Sequence, residues 1–567
     1  MAVENLITEH IDIWTSAVKA RSTSGRGSSK KLELYGVKKL RELILELAVR
    51  GKLVPQNPND EPASFLLQRI SEEKTQLIKE KKITKPKKLP AIKKQDITFA
   101  LPEGWQACYF GDIYSLVYGD NLPKAKRTES GEFLVYGSNG SVGTHNLFSV
   151  GSPCLVIGRK GSAGAINLSD QPCWVTDVAY SLIPPVGISL KYCFLHLQTL
   201  GLDSLGKGIK PGLNRNEANA LVVCIPPSDE QHRIVAKVDE LMALCDQLEQ
   251  QTEASIEAHQ VLVTTLLDTL TNSADADELM QSWARISEHF DTLFTTEESI
   301  DQLKQTILQL AVMGKLVPQD PSDEPAAELL ERIAEEKAQL VKEKKIKKQK
   351  ALPPISEDEK PFELPSGWEW CHLNSLISEM DAGWSPACPP EASPNHETWG
   401  VLKTTAVQNM EYREYENKVL SSSKEPRPQY EVKNGDILIT RAGPKNRVGV
   451  SCLVQTTRPK LMISDKIIRF HLIELGMSNN FVSLCLNAGA TSEYLESSKS
   501  GMAESQMNIS QDKLKMAPIP LPPIREQTLI AKKVEELIDL CDKLKLSLEK
   551  GKHAHFQFTD SVIEQAV

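Results

Sequence analysis

LAVRGKLVPQNPNDEPASFLLQRISEEKTQLIKEKK, starting at Leu47, returns as LAVMGKLVPQDPSDEPAAELLERIAEEKAQLVKEKK, starting at Leu310. Self-similarity of this extent means that one structural unit is built twice, and every other segment is best placed relative to it. The same displacement carries LPEGW at Leu101 onto LPSGW at Leu364, so the correspondence is not local. A second repeated block follows, IPPSDEQHRIVAKVDELMALCDQLE from Ile225 and LPPIREQTLIAKKVEELIDLCDKLK from Leu521. Between the blocks, residues 101–227 and 364–523 share little beyond a short glycine motif, and the second stretch is the longer. The frame repeats while the inserts diverge.

This pattern divides the chain into an N-terminal helical region (1–100), a first insert (101–227), a central helical region (228–363), a second insert (364–523) and a C-terminal helix (524–567). ITEHIDIW (Ile7 to Trp14) resembles ISEHFDTL (Ile286 to Leu293), and the C-terminal KHAHFQFTDSVIEQAV weakly resembles EAHQVLVTTLLDTLTN from Glu257. Joining the two ends of the chain would therefore reproduce its centre, as expected of a closed pseudo-twofold arrangement with neighbouring termini. Ser16 to Gly36 is an addition to the first copy, and its polar, basic composition predicts a mobile loop.

At 567 residues, 40% hydrophobic and 25% charged, the chain has the composition of a soluble multidomain protein. It shows neither an apolar run fit to cross a bilayer nor a cleavable leader, so a cytoplasmic location and no membrane partner are expected. Its 11 cysteines include no C-x-x-C pair and fit reduced thiols better than a disulfide framework. A formal net charge of −9 argues against indiscriminate coating of nucleic acid, so any DNA binding must come from local patches or partners.

After Pro227, Ile234, Val238, Leu241, Cys245 and Leu248 fall at 4-3-4-3 spacing on one helical stripe; Ile530, Val534, Leu537, Cys541 and Leu544 repeat it. Such a stripe suits either a coiled-coil seam or an amphipathic helix lying on a domain, and two stripes in one chain favour mutual packing. A helix of about 40 residues would be roughly 60 Å long, more than one DNA turn of about 34 Å. Gly51 and Gly314 end helices, and the N-D-E-P-A and S-D-E-P-A runs cap the next ones. The lysine-rich runs Lys79 to Lys94 and Lys342 to Lys350 fit a solvated helix face or phosphate contact. Strand-like runs in the inserts, among them PCLVIGRKG, CWVTDVAYSLI, GDILITRAG and KLMISDKIIRFHLI, make each a mixed α/β domain. The fold class is thus α+β and multidomain: two mixed α/β domains separated by a pair of long antiparallel coiled-coil helices, with internal pseudo-twofold repetition.

No G-x-x-x-x-G-K-[ST] phosphate loop, N-P-P-[YF], H-E-x-x-H, paired C-x-x-C or G-x-S-x-G occurs, so no catalytic residue, metal site or cofactor site is assigned to this chain. What remains is positive charge beside glycine. Arg159 and Lys160 follow one strand-like run and Arg441 another; an arginine beside unbulky backbone can approach a phosphate or a guanine edge, although a plain hairpin turn looks the same. Lys207, Lys210 and Arg215 in GKGIKPGLNRN are further DNA-binding candidates, as are Lys124, Lys126, Arg127, Lys445, Arg447 and Lys466.

L-P-x-G-W at Leu101 and Leu364, Y-G-S-N-G at Tyr136, G-R-K-G-S-A-G at Gly158, G-D-I-L-I-T-R-A-G at Gly435 and the exits I-P-P-S-D-E-Q and L-P-P-I-R-E-Q together resemble the specificity (S, HsdS) subunits of Type I restriction-modification systems. The resemblance spans nearly the whole chain. It implies two target-recognition domains, each reading one half of an asymmetric bipartite site in double-stranded DNA, with paired helices setting the spacer. It also implies two modification subunits carrying S-adenosylmethionine-dependent adenine methylation, and two restriction subunits that use ATP and Mg, as partners. Two other classes stay open on the residues alone: a single-chain nuclease or methyltransferase, and a scaffold whose inserts bind protein.

Overall fold

The computed structural model describes residues 7–20, 32–83, 89–206, 212–274, 276–348, 352–356 and 360–566. The chain is mixed α/β with two repeated domains, and it separates into two compact units, residues 1–256 with 551–567, and residues 257–550. Each unit holds one copy of the frame and one insert.

In the first unit, helix Tyr35–Val49 stops where Gly51 takes a φ of 67°, and the Lys52 amide returns to the Leu47 carbonyl at 2.9 Å. In the second, Glu297–Val312 stops at Gly314 with a φ of 71°, and Lys315 returns to Leu310 at 2.9 Å. A left-handed residue closing such a 6→1 bond favours glycine. Space demands it too, since a Cβ at Gly51 would lie 2.5 Å from Pro102 Cγ and one at Gly314 2.5 Å from Pro365 Cγ. Helices Ala63–Lys79 and Ala326–Lys342 follow, each starting after a proline.

The predicted mobile loop at Ser16 to Gly36 needs correction at its ends. Val18–Ala20 pairs antiparallel with Leu32–Leu34, Leu34 is buried, and Gly36 already lies in helix Tyr35–Val49. Leu34, the buried residue of this pairing, follows so much Lys, Ser and Gly that composition hides it. Residues 21–31 lie outside the described residues.

Each insert is closed at its base by one antiparallel strand pair, Gln106–Tyr109 with Val222–Ile225, and Glu369–His372 with Pro518–Leu521. Inside the first insert a four-stranded sheet runs in the order Val117–Tyr118, Ala179–Leu182, Cys154–Gly158, Ile166–Ser169. A three-stranded sheet runs Ser141–His145, Phe133–Tyr136, Cys173–Val175, its last pair parallel. The second insert repeats both: Ile377–Ala382, Ile467–Leu472, Ile437–Thr440, Ser451–Leu453, and Asn417–Val419, Gly400–Leu402, Leu461–Met462, its last pair again parallel. Leaving aside two short added pairs in the second insert, strand order and direction are the same. The central strands Cys154–Gly158 and Ile437–Thr440 are buried along their whole length, which accounts for their unbroken apolar runs.

Two long helices leave the inserts, Ser228–Thr271 (44 residues) and Ile524–Ala566 (43 residues), each about 65 Å long at 1.5 Å per residue. Ile234, Val238, Leu241 and Cys245 are buried, and Leu248 is partly buried, in a core that also contains Leu40, Leu43 and Leu47 of helix Tyr35–Val49. Arg41 of that helix reaches Asp246 and Glu249 at 2.7 Å each. In the second unit Ile530, Val534 and Cys541 are buried, and Leu537 and Leu544 partly buried, in a core with Ile300, Leu303 and Ile307 of helix Glu297–Val312. Lys304 pairs with Asp542 and Lys545 with Asp301. The mutual packing of the two stripes expected from their spacing is thus corrected: each stripe lies in the core of its own unit, against a neighbour helix that spacing alone did not assign to it. All eleven cysteines are free thiols, and among the described residues no helix is long and apolar enough to cross a membrane.

Candidate nucleic-acid interface

The repeated motifs meet at the base of each insert. Trp105 of LPEGW packs over Gly51, and its indole N–H donates to Glu230 Oε2 at 3.0 Å; Gln56 donates to Glu230 Oε1 at 3.0 Å and to the Gly51 carbonyl at 2.9 Å. In the second copy Trp368 donates to Glu526 Oε2 at 2.9 Å, and Gln319 donates to Glu526 Oε1 at 3.2 Å and to the Gly314 carbonyl at 2.7 Å. Burial holds both carboxyls above the usual Glu range, against the opposing pull of these hydrogen bonds. LAV-x-GKLVPQ, LP-x-GW and P-P-x-x-E-Q are therefore three sides of one socket. A further ion pair differs: Asp60 binds Arg233 at 2.6 Å, whereas Asp323 binds Arg525 at 3.5 Å, an arginine one helical turn earlier in the repeat.

The sockets hold the inserts by their closing strands, and the four-stranded sheets then place two arginines at equivalent joints. Arg159 follows strand Cys154–Gly158; its amide donates to the Val178 carbonyl at 2.9 Å, and its carbonyl accepts from Leu213 at 2.8 Å. Arg441 follows strand Ile437–Thr440; its amide donates to Lys466 at 2.8 Å, and its carbonyl accepts from Ile509 at 2.9 Å. Leu213 and Ile509 each precede the N-cap of a short helix, Arg215–Asn219 and Gln511–Lys515. The glycine before Arg159 is sterically required. A Cβ at Gly158 would lie 2.3 Å from the Ser138 carbonyl of the Y-G-S-N-G turn, which packs against this joint.

The other candidates separate by environment. Lys160 is exposed next to Arg159, and Arg215 begins its helix with its guanidinium over the same Tyr118 ring as that of Arg159. Lys124 and Lys126 are exposed on a single helical turn, but Arg127 is engaged internally, donating from Nε and Nη2 to the Leu122 carbonyl at 3.2 and 3.0 Å. Lys207 and Lys210 lie outside the described residues. In the second insert Lys466 is exposed beside Arg441, while Lys445 pairs with Glu504 at 3.5 Å. Arg447 is committed to structure: it donates to Gln408 Oε1 at 2.8 Å and to the Thr404 and Val407 carbonyls at 2.9 and 3.2 Å. The lysine-rich runs begin where helices end, with Lys82 on Glu80 and Lys345 on Glu343, and residues 84–88 and 349–350 lie outside the described residues. Sequence reasoning passed over Tyr118, a lone aromatic in L-V-Y-G-D that no spacing rule marks.

Two inserts of one topology, each on the same socket and each presenting an arginine at the same joint, define a duplicated recognition module. The family described as "Type I restriction modification DNA specificity domain" matches residues 102–258 and 400–550. Over the full length of both proteins, the chain is 52% identical to the Type I restriction enzyme EcoEI specificity subunit of Escherichia coli and 40% identical to its EcoAI counterpart. Among solved structures, the HsdS subunit of Thermoanaerobacter tengcongensis is 15% identical with a TM-score of 0.37, covering 83% of this chain and 98% of that one. The chain belongs to the family of Type I restriction-modification specificity subunits, with two DNA-recognition domains.

Proposed function

We propose that this subunit reads an asymmetric, two-part DNA target, one half through residues 101–227 and the other through residues 364–523. The observation that carries this reading is the combination of shared strand topology with unrelated surfaces: Arg159 and Arg441 occupy one joint, but the residues around them differ. Equivalent mounting gives both domains the same way of meeting the duplex, and different surfaces give each its own bases. The long helices Ser228–Thr271 and Ile524–Ala566, paired as an antiparallel coiled coil, would fix the unread spacer, and the duplicated frame would hold two modification subunits and, in a restriction complex, two restriction subunits. This chain contributes no catalysis of its own: S-adenosylmethionine, ATP and Mg belong to those partners.

Coexpression with the cognate modification subunit, followed by mapping of methylated adenines across a genome by single-molecule sequencing, tests this. A split asymmetric motif that changes in one half when residues 101–227 are exchanged is the expected result. A soluble complex that leaves adenine methylation unaltered rejects the proposal in favour of a protein-binding scaffold.

A further inference from the structure

The first insert contains an arrangement that its counterpart lacks. Arg159 and Arg215 come from distant segments, yet their guanidiniums lie over one ring, 4.8 and 5.2 Å from the centroid of Tyr118. Tyr118 is 49% exposed and packs at a tilt of 52° against Tyr180, ring centroids 5.0 Å apart; Tyr180 is 2% exposed and its hydroxyl donates to the Leu213 carbonyl at 3.1 Å. Arg159 is also tied by Nη1, which donates to the Asp177 carbonyl at 2.8 Å. The two tyrosines thus form a shelf, and the Arg159 guanidinium lies over it while tethered to backbone through Nη1.

Among the described residues neither guanidinium has a carboxylate partner, whereas Arg41, Arg69, Arg233 and Arg469 all do. Two like charges gathered at one aromatic ring repel each other, and the ring only partly offsets this, so the pair is best satisfied by an incoming acceptor. In the second insert the strand pairing puts Ala382 opposite Ile468 where the first has Tyr118 opposite Tyr180. Arg441 therefore has no shelf, and among the described residues its side chain has no hydrogen-bond or ion-pair partner.

Equivalent joints thus carry arginines of different rotational freedom. A phosphate accepts a mobile cation, but two parallel hydrogen bonds to guanine O6 and N7 need a guanidinium held in one plane, and immobilising it beforehand lowers the entropy lost on binding. Resting on the reading of this chain as a DNA-specificity subunit, we propose that the Tyr118 shelf makes Arg159 a guanine reader for the half-site recognised by residues 101–227, with Arg215 holding an adjacent phosphate.

The test uses the full chain coexpressed with its modification subunit, comparing methylation motifs of wild type, Arg159→Ala, Arg159→Gln, Tyr118→Leu and Arg215→Ala. Arg159→Ala is expected to relax a single G·C position in the half-site that exchange of residues 101–227 alters, by about 10-fold or more in preference. Arg159→Gln serves the same purpose if the alanine variant fails to fold, because it keeps length and polarity. Tyr118→Leu should relax the same position to a smaller degree. Arg215→Ala should leave the motif intact, weaken binding to all target duplexes alike and lower the slope of log affinity against log salt by about 1. The proposal is overturned if either soluble Arg159 variant keeps the motif and slows methylation evenly, the mark of a phosphate contact, or if the relaxed position lies in the other half-site. Absence of any split motif with the wild type would remove the underlying functional reading instead, so the two failures are distinguishable.

Discussion

Replacing Glu230 by alanine takes away the centre of the first socket and leaves the second intact. Glu230 is 1% exposed and accepts from Trp105 and Gln56. Gln56 is exposed and also donates to the Gly51 carbonyl, so water can replace the lost partner. The Trp105 indole is 5% exposed and would be orphaned, at a cost of about 1–3 kcal/mol, with about 1 kcal/mol more for the packing lost with the methylenes. Relief of the buried carboxylate offsets part of this, leaving a net loss of about 1–3 kcal/mol. Glu230→Gln keeps an acceptor for the indole and should cost under about 1 kcal/mol. Because burial raises the folded-state pKa, ionisation of Glu230 opposes folding: its favourable contribution is complete below the unfolded value of 4.5 and is lost as pH rises through the raised value. The Gln variant should therefore gain on wild type with rising pH. Hydrogen–deuterium exchange of the full chain reads both sockets at once. Glu230→Ala should speed exchange of peptides around Gly51, Trp105 and Ile225 by roughly 5- to 140-fold, with little change around Gly314, Trp368 and Leu521. Equal effects of Ala and Gln, or equal loosening of both sockets, would refute this account of the motif.

Gly314→Ala should lower the thermal midpoint through a cost of about 1–3 kcal/mol, since its φ of 71° and the 2.5 Å approach of Pro365 Cγ both penalise a side chain; calorimetry of the full chain checks it. Lys74 is buried against the Gly111 and Tyr114 carbonyls, and burial lowers its pKa to about 8. The unfolded chain then binds more protons between about 8 and the ordinary 10.5, so this lysine adds a rise in stability with pH across that window; Lys74→Met should flatten it in urea unfolding at the two ends. Arg447→Ala should lower stability by about 2–4 kcal/mol by stranding its acceptors, yet leave the salt dependence of DNA binding unchanged, because that guanidinium is already bonded to Gln408, Thr404 and Val407.

The duplicated frame was legible in the sequence because its motifs are contact requirements: Gly51 and Gly314 must be glycine under Pro102 and Pro365, and Trp105 and Trp368 need Glu230 and Glu526. Arginine followed by lysine-glycine or alanine-glycine after an apolar run also marked the joint at Arg159 and Arg441. The identity of strand order in the inserts was not legible, because a sheet fixes only alternation and burial and leaves side chains free to differ. Charge alone did not separate Arg127 and Arg447, bonded internally, from Lys124 and Lys466, which are exposed. The hairpin from Val18 and the shelf at Tyr118 rest on pairings between distant segments that local composition does not announce.

The ion pair that the two sockets form differently bears on how such a gene tolerates recombination between its own repeats. Asp60 takes its arginine from Arg233, and Asp323 from Arg525; the matching positions hold Leu529 and Asp229. A crossover falling between these positions in one orientation yields a helix with aspartate and leucine and no cation for the waiting carboxylate; in the other it yields two arginines for one. Crossovers to either side of that turn transfer the pair whole. The turn thus divides an otherwise interchangeable frame into exchanges that keep the socket's charge balanced and exchanges that do not.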